Sequence, residues 1–144
     1  MKRIVIDWLP VALWAAVILH ASGPSFDGNH TGSIIERIFA AIGVPLSITA
    51  AELVNTIVRK LAHLTEYAIL GTLAFRAVRS ERRGWIAAWS IAAVLTATAV
   101  AASDEFLQSF TPTRTATPAD VLLDATGATI AQLVIRRVAA RGER

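Results

Sequence analysis

Apolar residues run almost unbroken from Ile4 to about Ala21, behind Lys2 and Arg3. A run of that length approaches the ~20 residues an α-helix needs to cross a bilayer, which predicts a first membrane span at about 4–21. The basic start and the small residues Ala21, Ser22 and Gly23 also suit a cleaved signal peptide. The length of the run and the further spans downstream favour retention. Glycine, proline, serine and asparagine then mark Ser22 to Gly32 as a loop. Ser33 with Glu36 has the spacing of a capping box, and Ile34, Ile35, Ile38, Phe39 and Ile42 share one helical face. A short amphipathic helix along the outer membrane surface is expected there, ending near Gly43 and Pro45.

Thr49 with Glu52 repeats the capping signal, and no proline interrupts the chain from there to Arg79. A helix of about thirty residues is about 45 Å long, more than the ~30 Å hydrocarbon core, so its first turns are expected outside lipid and a second span at about 57–78. Arg79, Glu81, Arg82, Arg83 and Gly84 form a charged turn. Alanine-rich residues 85–102 predict a third span, anchored by Trp85 and Trp89, that packs in the bundle centre through its small residues. Ser103 to Pro118 is polar, with Phe106, Leu107 and Phe110 to hold it at the interface. The fourth span, at about 119–135, is short and contains Asp120, Asp124 and Gln132. The pattern predicts an all-α membrane protein in one domain: a four-helix transmembrane bundle with a short amphipathic outer-face helix between the first and second spans.

Composition agrees with lipid as the main solvent. Of 144 residues, 54% are hydrophobic and 17% charged, with a mean hydropathy of +0.52, too apolar for an ordinary soluble fold of this size. The pI of about 10.2 raises nucleic acid as a partner, but the basic residues sit at the ends of apolar runs and form no stripe, so none is expected. Without cysteine there is no disulfide framework and no thiolate metal site. A four-span path puts Lys2, Arg3, Arg76, Arg79, Arg82, Arg83, Arg136, Arg137, Arg141 and Arg144 on one side and leaves Arg37, Arg59, Lys60 and Arg114 on the other. By the positive-inside rule both termini are expected in the cytoplasm.

The polar residues inside apolar segments collect toward the outer face. Arg59, His63 and Glu66 stand at i, i+4 and i+7, with Lys60 and Tyr67 on the flank. On the extension of the third span Asp104 and Gln108 are four apart, with Glu105 beside them; on the fourth, Asp120, Asp124 and Gly127 repeat the first spacing. A carboxylate at bilayer depth costs about 2.5–3.5 kcal/mol, so Asp124 needs a partner, with Arg59, Lys60, His63 and Arg114 as candidates. Plainer roles compete for some of them: Thr117, Pro118 and Asp120 suit a helix start, Asp104 also suits a helix start at Ser103, and Gly127 with Ala128 and Ala131 suits a packing face. Asp7 and Gln132 lie toward the cytoplasmic side and get no chemical role, nor do His20 and His30.

Three chemistries fit this set. His63, Glu66, Asp104 and Glu105 form an acid–base constellation, with His63 or Glu66 as proton carrier and Asp104 or Glu105 as orienting acid. The same four are the candidate ligands of a divalent metal, although no signature such as HExxH is present. Arg59, Lys60 and Arg114 suit a phosphate or carboxylate, and Tyr67, Gln108, Asp120 and Asp124 complete the binding set.

The three blocks, Arg59-Lys60-x-x-His63-x-x-Glu66-Tyr67, then Asp104-Glu105-x-x-Gln108-x-Phe110-x-Pro112-x-Arg114, then Asp120-x-x-x-Asp124-x-x-Gly127, closely resemble the VanZ-like family of bacterial membrane proteins. The match runs in order from Arg59 to Gly127, about half the chain; Thr113 stands where the pattern has glycine. The resemblance implies a bacterial inner-membrane protein, related to a namesake associated with teicoplanin (glycopeptide) resistance, and it implies no reaction. The leading expectation is an outward-facing polar pocket that binds or modifies a membrane lipid, a lipid-linked anionic wall precursor or an amphiphilic antibiotic. A small transporter or proton-coupled permease and a non-catalytic scaffold are the rivals.

Overall fold

A computed structural model describes residues 2–22, 28–44, 46–110 and 117–142. Five helices appear in order: α1 (Lys2–Ala21), α2 (Gly28–Ala41), α3 (Ile48–Arg79), α4 (Ala87–Gln108) and α5 (Pro118–Gly142). No strand occurs among the described residues. The 32-residue α3 is the axis, touching α1, α2, α4 and α5. The third apolar segment, expected at the centre, instead lies to one side of it: α4 buries Ala93, Ala97 and Ala101 and turns Ile91 and Leu95 outward.

Three helices, α1, α4 and α5, are long and apolar enough to cross a membrane. Of the four expected spans these three meet that measure; α3 does not, because it carries Glu52, Arg59, Lys60, Glu66, Arg76 and Arg79 along its length. Large apolar side chains on the outside of the three, among them Ile6, Leu13, Leu95, Leu122 and Val134, form the surface that lipid rather than water accommodates.

The helices alternate in direction, as polar ties between them require. Arg3 of α1 pairs with Glu81 just past α3, and Ser80 donates to the Asp7 carboxylate at 2.6 Å. Midway, the Trp14 indole donates to the Glu66 carbonyl at 2.9 Å. At the far end Ser22 donates to Asp104 at 2.8 Å. Asp7 and Gln132, expected to do nothing chemical, are structural: Gln132 donates its amide to the Gly71 carbonyl at 3.0 Å.

Backbone capping departs from the expected residues. The N-cap of α3 is Ser47, whose hydroxyl accepts the Ala50 N–H at 3.3 Å, while Thr49 lies inside the helix. Likewise α2 starts at Gly28, so Ser33 is a second-turn residue and not a cap. Glycine and asparagine in 28–32 read as loop, yet the segment is helical, with Gly32 facing Asn55 of α3.

The closest approach of the fold is between α3 and α5. A Cβ on Gly127 would stand 2.4 Å from the Leu64 carbonyl oxygen, and one on Gly71 would stand 3.0 Å from the Ala128 Cβ. Only small residues permit two helix backbones to meet in this way.

Candidate functional site

The contact at Gly127 sets one polar pair. Asp124 lies one turn before Gly127 on α5, and His63 directly precedes Leu64 on α3. The His63 Nδ1 and an Asp124 carboxylate oxygen are 3.3 Å apart. Of the four partners expected for Asp124, the helix packing selects His63. Arg59 and Lys60 form no ion pair among the described residues, and Lys60 is exposed. Arg114 lies outside the described residues.

The pair is within ion-pairing distance but lacks hydrogen-bond alignment. As a result the His63 Nδ1 and both Asp124 oxygens have no hydrogen-bond partner among the described residues. Asp124 is only 1% exposed. The Tyr67 hydroxyl, one turn after His63, is equally buried and also without a partner there. Tyr67 was expected on the flank of the stripe, whereas it points to the interior and packs in the core with Ile18, Leu70 and Ala128.

Asp104 of α4 belongs to the same neighbourhood and is better served. One of its oxygens accepts from Ser22 at 2.8 Å and from the Gln108 amide at 2.9 Å. Glu66 lies within Coulombic reach of His63, Asp104 and Asp124. Thus His63, Glu66, Tyr67, Asp104, Gln108 and Asp124 come together from three helices.

Glu105 and Asp120 do not join them as free groups. Glu105 accepts the Thr117 backbone N–H at 2.8 Å, lashing the end of α4 to the start of α5. The Thr117 hydroxyl donates to the Asp120 carboxylate at 2.8 Å and accepts the Asp120 N–H at 3.3 Å. Thr117 thus caps the helix while Asp120 holds the cap hydroxyl, the plainer helix-start role open to Asp120 from the sequence. Asp104, by contrast, starts no helix: α4 runs through it to Gln108.

No three acid or histidine side chains among the described residues converge to hold a metal ion. Of the four candidate ligands His63, Glu66, Asp104 and Glu105, Glu105 binds the start of α5 and Asp104 binds Ser22 and Gln108. An apolar cleft of about 490 Å³ opens between α4 and α5 beside Glu105, walled by Ala102, Thr117, Pro118, Val121 and Leu122.

Two residues that hold the cluster escape the sequence reading. Ser22 was assigned to a loop, although it sits at the end of a span on the same side as Asp104. Trp14 lies mid-span, where its N–H must find an acceptor, and that need was the available signal.

Comparison with known proteins supplies one match. A family model described as VanZ/LLP1 matches residues 8–139, while no curated protein and no solved structure matches. The match extends well beyond the three sequence blocks, into α1 and nearly to the end of α5. With three helices fit to cross a bilayer and this coverage, the chain is a membrane protein that belongs to the VanZ/LLP1 family.

Proposed function

We propose that the chain binds the polar head of an amphiphile within the membrane, at the end of the bundle opposite the arginine-rich turn. In this reading α3 crosses the bilayer together with its three apolar neighbours, with its polar stripe turned toward them. The observation that carries the proposal is the unspent hydrogen-bonding capacity of Asp124 and Tyr67, both buried. An unmet buried acceptor costs about 1–3 kcal/mol, and intramembrane ionisable groups that persist despite such costs mark sites by default.

The chemistry of the cluster argues for the kind of head it takes. His63 is the one basic side chain among Glu66, Asp104 and Asp124, so the interior offers acceptors. A head rich in donors, such as sugar hydroxyls or an ammonium group, matches it. Arg59, one turn nearer the start of α3, and the adjacent Lys60 are placed for an anionic group at the rim. By the positive-inside rule the site faces away from the cytoplasm, both termini are cytoplasmic, and α2 lies along the outer surface of a bacterial inner membrane. Envelope lipids, lipid-linked wall precursors and amphiphilic glycopeptides are the candidate ligands. Capture of the last is how such a site contributes to teicoplanin resistance.

The test is mass spectrometry of amphiphiles that co-purify with the wild-type chain, Asp124→Asn and His63→Ala. A species with an amine- or hydroxyl-rich head should be enriched on the wild type and lost from both variants. Identical bulk lipid on all three would refute the proposal. A second reading, a proton-transferring enzyme, draws on one geometric fact: Nδ1 of His63 lies 3.3 Å from a carboxylate oxygen, so a small rotation would form the hydrogen bond that orients a histidine base. Its mark is a new product when the protein is incubated with total envelope lipid.

A further inference from the structure

The opposite end of the bundle holds a second constellation that this function does not use. Between α4 and α5 runs an apolar cleft of about 310 Å³, with Ile91, Leu95 and Leu133 along its walls and Trp85, Ser90 and Arg136 toward one end. The Trp85 indole N–H donates to the Ser90 hydroxyl at 2.8 Å, which fixes the ring. The Arg136 guanidinium carbon lies 5.2 Å from the centroid of that ring. A guanidinium stacked on an aromatic face keeps its N–H edge for another acceptor. Arg136 makes no ion pair among the described residues.

The neighbouring charges do not compete for that edge. Arg82 stacks on Trp89 at 4.9 Å but spends its N–H groups on the Arg79 and Val78 carbonyls. The nearby acids are engaged: Glu81 pairs with Arg3, and Asp7 accepts from Ser80. A planar cation held at the end of a lipid-facing slot complements a phosphate that carries an acyl chain. With no acid among the described residues lining the cleft, the Arg136 charge selects a headgroup with net negative charge.

We infer that this cleft holds one anionic phospholipid from the leaflet at the arginine-rich end, its phosphate on Arg136 and an acyl chain along Ile91, Leu95 and Leu133. Native mass spectrometry of the full chain, titrated in detergent with phosphatidylglycerol or phosphatidylcholine, tests it. Phosphatidylglycerol should bind more tightly. Arg136→Gln should weaken it about fivefold, the equivalent of about 1 kcal/mol for one arginine near the headgroup, and abolish most of the preference. Leu133→Trp fills the slot without touching charge and should weaken both lipids. Arg83→Gln, outside the cleft, should leave the ratio unchanged. Equal affinity of the wild type for the two lipids overturns the inference. So does a loss in Arg83→Gln as large as in Arg136→Gln, or a Leu133→Trp variant that binds as the wild type does.

Discussion

Gly127→Ala adds a single methyl group, and the structure says where it goes. The new Cβ would lie 2.4 Å from the Leu64 carbonyl oxygen and 3.1 Å from both the carbonyl carbon and the Cα of Leu64. Comfortable separations are about 3.5–4.0 Å, so α3 and α5 must part by about 1 Å. No rotamer relieves the clash, because every atom in the way is backbone. Overpacking of this kind costs about 1–3 kcal/mol, and the parting also loosens the contacts on either side. Against it stands the gain of about 1 kcal/mol from replacing glycine with alanine in a helix. Because the overlap is with backbone, the cost falls in the upper half of that range, and the net expectation is a loss of about 1–2 kcal/mol, read as reversible unfolding in mixed micelles. Gly71→Ala is the internal comparison: its nearest contacts, the Ala128 Cβ at 3.0 Å and the Ala128 Cα and carbonyl oxygen at 3.1 and 3.3 Å, are rigid too but longer, so a smaller loss is expected. The separation also carries His63 away from Asp124, and ligand retention should fall with stability. A Gly127→Ala chain as stable as the wild type would mean that the two backbones do not meet as described.

Other outcomes follow from individual contacts. Replacing both members of the buried pair by apolar residues of similar size, His63→Leu with Asp124→Leu, should leave stability unchanged or raised while ligand retention disappears, because a buried charged pair is often replaced by well-packed apolar groups at no cost; a marked loss of stability would make the pair structural. Thr117→Ala removes the α5 cap and should cost about 0.5–2 kcal/mol, visible as faster hydrogen exchange in the first turn of α5, with Thr117→Ser restoring protection. Ser80→Ala deletes a donor to the Asp7 carboxylate at a residue held at φ 51°, and a fall of about 1.5–3 kcal/mol in unfolding free energy is expected.

The helices were legible because apolar runs and proline-free stretches carry over directly: α1, α3 and α5 begin within two residues of their expected starts. The far ends were less so. Residues 136–142 extend α5 past its apolar part because arginine and alanine favour helix as readily as leucine does. The membrane reading was least legible at α3, whose charges lower its hydropathy below that of the other three long helices. At the site, the spacing of His63, Asp104 and Asp124 placed them at one end. It did not choose among Arg59, Lys60 and His63, because one turn of helix offers all three and only the rotation of α3 against α5 decides. Tyr67 follows Arg59 and His63 at i+8 and was open to the same reading. The partner of Glu105 is a backbone N–H, which no side-chain pattern reveals.

Trp14 and Ser22 carry no charge, and neither would be picked as part of an ionisable centre. Yet with Asp7 they fasten α1 to its neighbours at three depths, one rung near each face and one midway. The uppermost rung serves Asp104 itself, so a change in the tilt of this helix is felt by the acid cluster without any change in its own members. Lipid thickness, which sets such tilts, is thereby coupled to the shape of the centre. Reconstitution in bilayers of different thickness should shift ligand retention in the wild type and less so in Ser22→Ala.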